Sequence, residues 1–393
     1  MKQKSLEQYC IGCGLCHSEK NVELKTNEKG YLYPINYENN VEKTEFLKKV
    51  CPSQGVGVSY LSADNVWGHY LGAYATWSTD SALRKKASSG GSLSALAIYL
   101  LEKKKVDGIL HVGVVADSLY ETTCYCSTTR EEVMSHCGSR YAISSPWYTL
   151  SQLVDEEKNY CVIGKPCDVM ALRNMMKVEI KYNKCIKYVL SFFCAGLPSN
   201  AANQRLVNSL ENGCKGVSLN YRGNGWPGYA TLVDEVGNTH QMEYSKSWGG
   251  ILGRDIHPYC RFCPDGIGEL ADVACGDGWY TNAAGEPDFA EREGRNITLA
   301  RNEKGQALLE EAKRAGYIEL TEWDNVDLLK RIQKYQYTRR STLFAKLLAF
   351  KLMGKETPQF SLKSVKAFRE KGNLKEEIRI FLGTIKRAMK GKV

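Results

Sequence analysis

The sequence contains no run of about 18 consecutive apolar residues, the length that a membrane-spanning helix needs. Its first ten residues, MKQKSLEQYC, also lack the apolar core of a secretory signal. These two absences argue against an integral membrane protein and against a secreted one. The sequence therefore predicts a cytoplasmic protein.

Cysteine, by contrast, is abundant, with 15 among 393 residues. Cytosolic thiols are kept reduced, so a metal or redox role is favoured over a disulfide framework. The length predicts two or three structural units, and the 43% apolar content is that of a protein with a substantial core. The main question is which cysteines have the spacing of metal ligands.

The strongest motif is CIGCGLC near the N-terminus, followed later by Cys-Pro. Two-residue gaps allow three thiolates to reach three corners of one [4Fe-4S] cubane, and small residues between them leave N–H groups for its sulfurs. In bacterial ferredoxins the Cys-Pro cysteine usually serves a second cluster. Here a predicted hairpin around 27–30 precedes it, and we infer that it closes the same cluster. Separate Cys-x-x-Cys pairs would be more typical of zinc. The predicted ligands, the N-terminal cysteine set, are Cys10, Cys13, Cys16 and Cys51.

An α/β pattern follows a linker at about 53–70. In the segment KASSGGSLSALAIYLLEKKKVDGILHVGVV the apolar spacing predicts a helix, and then a buried strand at 109–115. Glycines and free N–H groups at a helix start suit a phosphate, although a serine cap is the simpler alternative. The residues at that start are Ser88, Ser89, Gly90 and Gly91.

Two further strand–turn units end in cysteine. CVIGKPC and LSFFCAG place Cys167 and Cys194 after buried strands, and Asp168 is the predicted cap of the following helix. Because open α/β sheets bind ligands at the carboxyl edge of their strands, these two thiols should lie close together. With Cys260 and Cys263 of CRFC they make four thiolates, which we name the central cysteine set. Spacing alone leaves a second [4Fe-4S] cluster, a zinc site and buried core cysteines all open.

The motifs together resemble the coenzyme F420 hydrogenase/dehydrogenase beta-subunit family, which includes 7-hydroxymethyl chlorophyll reductase. The resemblance covers residues 8 to about 280, in the family's order, through CIGCGLC, SSGG, GSRYAIS, CVIGKPCDVMALR, FFCAGLPS, YRGNGWPG and CRFCPDGIGELADVACGDGW. It implies an iron–sulfur flavoprotein with FAD, and it favours a [4Fe-4S] cluster over zinc at the central cysteine set.

The resemblance also implies a flavin site. Ser88, Ser89, Gly90 and Gly91 correspond to its phosphate loop, and Ser139, Arg140, Tyr141 and Asp277 to further pocket positions. A surface ion pair for Arg140 and a turn cap for Asp277 are the structural alternatives.

Two residues depart from the family pattern, and both put the deazaflavin substrate in doubt. Lys165 stands where members usually have threonine, and Ala195 where they often have histidine. A cation beside a flavin raises its reduction potential, which makes Lys165 the candidate catalytic residue. The missing histidine removes a proton donor.

The charge is unevenly distributed. Residues 330–393 contain 18 Lys and Arg against 4 Asp and Glu, a net +14, whereas the rest carries −5. This basic tail either packs on the body with its lysines in solvent, which we favour, or contacts the inner face of an anionic membrane. The predicted α/β fold therefore has a ferredoxin-like [4Fe-4S] module at 1–60, a flavin and [4Fe-4S] domain at 70–329, and a basic helical extension at 330–393.

The main functional hypothesis is an oxidoreductase. Electrons from a low-potential, ferredoxin-like donor would pass through two [4Fe-4S] clusters to FAD and on to a small organic substrate or deazaflavin. The family association also suggests surface polysaccharide biosynthesis. One alternative is an electron-transfer subunit that feeds a partner enzyme, and another is a zinc-stabilised binding protein without redox activity. We expect no nucleic-acid partner.

Overall fold

The computed structural model describes residues 3–62, 64–211, 213–323, 325–369 and 374–389. Its strands, numbered in chain order, are β1 (Glu23–Thr26), β2 (Leu32–Ile35), β3 (Gly72–Ser78), β4 (Gly108–Val114), β5 (Thr122–Ser127), β6 (Tyr160–Gly164), β7 (Ile186–Phe192), β8 (Gly216–Asn220), β9 (Tyr229–Asp234), β10 (Thr239–Glu243), β11 (Val273–Asp277), β12 (Tyr280–Thr281), β13 (Pro287–Asp288), β14 (Asn296–Ala300) and β15 (Ile318–Glu322).

The α-helices are numbered in the same way. They are α1 (Gln3–Tyr9), α2 (Leu15–Lys20), α3 (Val41–Val50), α4 (Ser81–Lys86), α5 (Ser92–Glu102), α6 (Arg130–Ser135), α7 (Leu150–Leu153), α8 (Pro166–Val178), α9 (Ile180–Cys185), α10 (Asn200–Glu211), α11 (Tyr244–Lys246), α12 (Pro258–Arg261), α13 (Glu303–Arg314), α14 (Leu329–Ile332), α15 (Lys334–Ser341), α16 (Leu343–Leu352), α17 (Leu362–Lys366) and α18 (Leu374–Met389).

The body is built on a large mixed sheet with strand order β15-β3-β14-β11-β7-β6-β4-β5. Its centre is parallel, because β11, β7, β6 and β4 run in the same direction. The strands on both sides of this centre pair antiparallel. The predicted α/β class is confirmed at this level, as a mixed sheet covered by helices.

Helices bury both faces of the sheet, as the apolar runs of its central strands require. Val162 and Val189 point to the face covered by α3 and α8. Their neighbours Cys161 and Leu190 point to the opposite face, covered by α5 and α13. This alternation follows from the two-residue period of a strand.

The unit β6–α8 differs in one detail from the sequence-based expectation. The helix begins at Pro166, whose fixed φ suits a first helical turn. Its N-cap is therefore Lys165, and the prediction that Asp168 caps the helix is wrong. Asp168 lies one turn inside, where its carboxylate accepts the Lys165 backbone N–H at 3.3 Å.

The N-terminal segment packs directly on the body. The predicted hairpin forms between β1 and β2, with Thr26 opposite Leu32. The segment at 53–70 contains short 3-10 turns, and Leu61 and Trp67 within it are buried. Leu15 of α2 shares one apolar core with Val162 of the main sheet. The three predicted domain boundaries remain a prediction.

A second, smaller sheet has the antiparallel order β10-β9-β8. Helix α10 covers it through Leu206 and Leu210, which pack with Leu219 and Leu232 of the strands. The loop after β8 leads back towards the main sheet.

The C-terminal extension also contacts the body. Leu343, Leu347 and Phe350 of α16 are buried in one cluster with Tyr9 and Phe262. No helix in the described ranges is both long and apolar enough to span a bilayer. Peripheral membrane contact by this extension stays a prediction.

Candidate functional site

The N-terminal cysteine set lines one pocket, although its members come from three segments. Cys10 follows α1, Cys16 lies in α2, and Cys51 follows α3. The chain between them turns at Gly14, whose φ is +83° and where a Cβ would lie 2.6 Å from the Cα of Tyr148. Glycine is therefore required for this close approach.

This pocket is unfavourable for thiolates alone. Burial, reinforced by the nearby Cys51, raises the pKa of Cys16 to about 12. Burial and the same neighbour also raise the pKa of Cys10. The Gly12 N–H group points at the Cys10 sulfur at 3.4 Å, and both thiols are free. Four free thiols, of which Cys16 is buried and the others half-buried, with backbone donors between them, fit an iron–sulfur centre, because its iron supplies the positive charge that thiolates need.

The central cysteine set lines a second pocket. Cys167 lies in the first turn of α8, and Cys194 follows β7, which is the strand next to β6. Cys260 of α12 and Cys263 reach the same pocket from the later loop. Burial and the neighbouring Cys194 raise the pKa of Cys260 to about 12. The expectation that the strand-end cysteines meet the Cys-x-x-Cys turn agrees with this arrangement.

The sulfur spacing distinguishes zinc from a cubane. Four thiolates on zinc lie about 3.8 Å apart, since each Zn–S bond is about 2.3 Å. The described residues include every cysteine of both sets, and among them no three of these sulfurs lie within 4.8 Å of one another. In a cubane each thiolate binds a different iron, which holds the sulfurs farther apart. Neither set therefore has the close sulfur spacing of a four-thiolate zinc site.

Arg339 of α15 is a pocket residue that the sequence reading missed. It lines the pocket of the central cysteine set, where its guanidinium donates to the Cys194 carbonyl at 2.7 Å and the Cys260 carbonyl at 3.3 Å. Its position in the basic tail gave no signal for this role. The extension thus contributes a buried cation next to the predicted cluster.

A third cavity, of about 260 Å³, opens at the carboxyl edge of the parallel strands. This is the edge at which open α/β sheets bind ligands. We call it the cofactor pocket. Its polar and ionisable lining residues include Ser88, Ser89, Ser92, His111, His136, Ser139, Arg140, Tyr141, Ser144, Lys165, Asp168, Cys194, Arg222, Asp277 and Asn296. The structure therefore brings the predicted flavin residues to one place, except that Gly90 is not among the residues that line the pocket.

The predicted phosphate loop forms one end of this pocket. Helix α5 starts at Ser92, and its N-cap is Gly91 with φ +75° and no side-chain cap. The serine-cap alternative is therefore wrong. Ser88 Oγ instead accepts the Ser139 N–H, and Ser89 Oγ donates to the Arg295 carbonyl at 2.8 Å. The start of α5 faces the pocket through Gly91 and Ser92, as a phosphate-binding helix start requires.

Arg140 places a half-buried guanidinium at the same pocket. Its Nη1 donates to the Ser139 carbonyl at 3.1 Å, while its buried Nε has no partner. In the described part of the chain no carboxylate pairs with it, so the surface ion pair considered from the sequence is not found. Burial lowers the pKa of Arg140. An unpaired guanidinium beside an open helix start fits a nucleotide phosphate.

Asp277, at the end of β11, also lines the cofactor pocket and forms an ion pair with Arg222. The guanidinium and carboxylate form two hydrogen bonds, of 2.9 and 3.2 Å, and Trp226 Nε1 donates to the same carboxylate at 3.2 Å. The turn-cap alternative for Asp277 is thereby replaced by an ion pair. Arg222 itself was not predicted as a site residue, although it lies in the motif YRGNGWPG.

Lys165 lies where two pockets meet. It lines both the cofactor pocket and the pocket of the central cysteine set. Its Nζ is 2.7 Å from Asp168 Oδ2 and 2.7 Å from Ser144 Oγ. Burial disfavours its charge, but the Asp168 carboxylate outweighs this and raises the pKa of Lys165. The predicted catalytic residue is therefore a fixed, paired cation at the boundary of both sites.

The three pockets form a continuous series. Ile11 lines the pockets of both cysteine sets. Cys194 and Leu197, with Lys165, line both the central pocket and the cofactor pocket. Each pocket thus shares walls with the next one.

Comparison with known families finds two matching models. The model for the N-terminal part of the coenzyme F420 hydrogenase/dehydrogenase beta subunit matches residues 73–151, and that for its C terminus matches 157–326. The matched ranges contain the cofactor pocket residues and the central cysteine set. The N-terminal cysteine set lies outside them.

Curated proteins with similar sequences have names that match these family models. A coenzyme F420 hydrogenase subunit beta of Methanococcus voltae is 30% identical over 287 residues, 68% of this chain and 91% of that protein. An F420-dependent formate dehydrogenase 1 subunit beta of Methanococcus maripaludis is 26% identical, over 62% of this chain and 60% of the relative. A chain in the structure of the F420-reducing [NiFe] hydrogenase complex from Methanosarcina barkeri has the same fold, with TM-score 0.55, 22% identity, and coverage of 72% of this chain and 95% of that one.

Proposed function

Because the chain belongs to the coenzyme F420 hydrogenase/dehydrogenase beta-subunit family, whose members are oxidoreductases, we propose that it is a flavin-carrying electron-transfer subunit. The continuous series of pockets is the observation that carries this proposal. It would provide two sites for clusters and one for FAD, and each pocket shares lining residues with the next. When bound, the clusters supply one-electron transfer and the flavin converts it to hydride chemistry.

The chain's own residues would bind and separate these groups. The two cysteine sets would supply the thiolate ligands. The start of α5 and Arg140 would hold the FAD phosphates, and the Arg222–Asp277 pair would form another part of the pocket wall. Lys165, ion-paired with Asp168, would place its ammonium group between the central cysteine set and the flavin. That charge would favour the reduced state of either neighbour.

The subunit role is favoured over a self-sufficient enzyme. Two of the relatives are named as beta subunits of a hydrogenase and of a formate dehydrogenase. We therefore propose that another protein exchanges single electrons with the N-terminal cysteine set. A separate ferredoxin-like donor is the other source of these electrons.

A hydride-accepting small molecule is the second part of the proposal. The relatives' names include coenzyme F420, and the cofactor pocket is open at the sheet edge. A deazaflavin is therefore the first substrate to test. Lys165 and Ala195 line that pocket where the family usually has other residues, so a different organic acceptor is the alternative. One such acceptor would be a sugar-linked molecule of surface polysaccharide biosynthesis, which the resemblance to the family suggests.

Anaerobic purification of the full chain followed by iron, sulfide and flavin analysis tests the proposal. We expect about eight irons and one FAD per chain. Reduced deazaflavin should then bleach the flavin, and the clusters should be reduced afterwards. The protein could contain both clusters and FAD and yet be reduced by ferredoxin and not by reduced deazaflavin. The substrate would then be another organic acceptor. A colourless protein would overturn the redox function.

A further inference from the structure

Three metal-ligand atoms converge on the small sheet, away from the pockets described above. His240 Nε2 lies 3.4 Å from Cys214 Sγ and 3.0 Å from Asp234 Oδ2, and all three ligand atoms lie within 4.8 Å of one another. None of the three residues lines either cysteine pocket or the cofactor pocket. We propose that Cys214, Asp234 and His240 bind one thiophilic divalent cation of the zinc type.

The distances fit tetrahedral coordination. Bonds of about 2.3 Å to sulfur and about 2.0 Å to nitrogen and oxygen place the sulfur and nitrogen about 3.5 Å apart, and nitrogen and oxygen about 3.3 Å apart. The observed separations of 3.4 and 3.0 Å are close to these values. The N-terminal and central cysteine sets do not have this geometry, because no three of their sulfurs lie within 4.8 Å of one another.

The direction of the histidine nitrogen also favours a metal. A single Nε2 faces both a sulfur and a carboxylate oxygen, yet it carries only one hydrogen or one lone pair. A cation between the three atoms would accept that lone pair and bind the other two ligands as well. The thiol, which contacts the Glu211 carbonyl, would lose its proton on binding. Each bound divalent ion would therefore release one proton.

The carboxylate is held in place for this role. Asp234 Oδ1 accepts the backbone N–H groups of Val236 and Asn238, at 3.1 and 2.8 Å, and Asn238 Nδ2 donates to Oδ2 at 3.2 Å. Such outer-sphere donors fix the orientation of metal ligands.

Charge, access and ligand chemistry select the ion. A thiolate and a carboxylate carry two negative charges, which a divalent cation neutralises. The sulfur donor disfavours Mg²⁺ and Ca²⁺. The His240 side chain is 30% exposed, so an ion can enter and a water can complete the coordination. A bound ion would join the loop after α10 to the hairpin of β9 and β10.

Zinc analysis of the anaerobic full-length protein tests the proposal. The protein is equilibrated with Zn²⁺, washed with a weak chelator, and studied by elemental analysis and zinc K-edge absorption, which iron does not obscure. We expect one retained zinc with one sulfur neighbour. Cys214→Ser and His240→Gln should each weaken retention by more than about 100-fold, and Asn238→Ala by about 10-fold, with iron content unchanged.

The matched control is Cys124→Ser, which alters a buried cysteine of β5 outside all three pockets and should retain the zinc. Zinc retained equally by Cys214→Ser and His240→Gln would overturn the proposal. So would a wild-type spectrum with three or four sulfur neighbours, because that zinc would occupy a cysteine set. The wild-type spectrum decides the matter even if a variant fails to fold.

Discussion

Arg222 and Asp277 form a two-point ion pair in the wall of the cofactor pocket, with hydrogen bonds of 2.9 and 3.2 Å. The guanidinium is buried, and it also lies 4.6 Å from the ring centre of Tyr244 and 5.3 Å from that of Trp279. The loop after β8 is thereby joined to the end of β11. One interaction thus connects the small sheet to the main sheet at the predicted flavin site.

Asp277→Asn should weaken both folding and flavin binding. It leaves the Arg222 charge buried without a counter-ion, and breaking such a pair costs about 3 kcal/mol. Urea unfolding and flavin retention on gel filtration would measure the two effects. The control is Asp288→Asn, which removes an exposed ion pair with Arg292 and should cost less than about 1 kcal/mol. Equal effects of the two substitutions would show that the pocket pair has no special role.

The meeting of Cys167 and Cys194 could be predicted from sequence because of a general property of parallel sheets. Each residue follows a buried strand, and β6 and β7 are neighbours. Strand ends that point the same way share one edge. The convergence of the phosphate loop on this edge follows from the same rule. These relationships depend only on local strand and helix patterns.

Other site residues depend on tertiary packing that local patterns do not encode. Ser144, which binds Lys165, lies in an irregular loop, and Arg339 reaches the central cysteine set from the C-terminal extension. His240 and Cys214 are 26 residues apart and have no motif spacing. Such residues become recognisable only when the fold places them together.

Gly91→Asp should abolish flavin binding while leaving most of the iron. The new carboxylate would lie at the start of α5, where it repels a phosphate and reverses the favourable dipole interaction. Gly91 has φ +75°, so any side chain adds strain. Gly91→Asn is the matched control, because asparagine has the same shape and tolerates this backbone region without the charge. We expect flavin content to fall much further in the aspartate variant. Equal flavin in both would mean that the phosphate binds elsewhere.

Cys13→Ala should remove about half of the iron, from about eight to about four per chain, and leave flavin bound. The reason is that the residues lining the cofactor pocket all follow residue 86. Iron and flavin assays on the same preparation test this. Cys126→Ala, on β5, serves as the control and should keep all the iron. If Cys13→Ala lost all flavin and all iron, the division between the N-terminal cluster module and the flavin-binding domain would be wrong.

His111 should make the protein less stable in mild acid. Burial, with the nearby His136, lowers the pKa of His111 to about 4. An unfolded histidine binds a proton below about pH 6.5, whereas the folded one stays neutral until about pH 4. Stability should therefore fall as the pH decreases through this window, by up to about 3 kcal/mol.

Urea unfolding at pH 7.5 and 5 would measure this slope. The free energy of unfolding of His111→Gln should change less than that of wild type between the two pH values, because the substitution removes the titrating ring. His69→Gln, which alters an exposed histidine, should retain the wild-type slope. If the stability of His111→Gln depended on pH as strongly as that of wild type, His111 would not be the source of the pH dependence.

Cys194→Ser provides the sharpest test of the central cluster. If the central cysteine set holds one cubane, the substitution should lower iron from about eight to about four per chain. It should also reduce stability, because the cluster would join β6 and β7 to the later Cys-x-x-Cys turn, and metal binding contributes to folding. Cys124→Ser should change neither quantity, since this buried thiol lies outside the pockets of both cysteine sets.

The same variant separates the two electron routes. Its flavin should still accept hydride from a chemical donor, since the cofactor pocket retains the phosphate loop and Arg140. Reduced ferredoxin should no longer reduce that flavin, because the pocket between the N-terminal cysteine set and the cofactor pocket would lack its cluster. Full iron and ferredoxin-linked activity in Cys194→Ser would contradict the ligand assignment. Cys137 and Cys275, which line the cofactor pocket, would then be the first replacements to test as ligands.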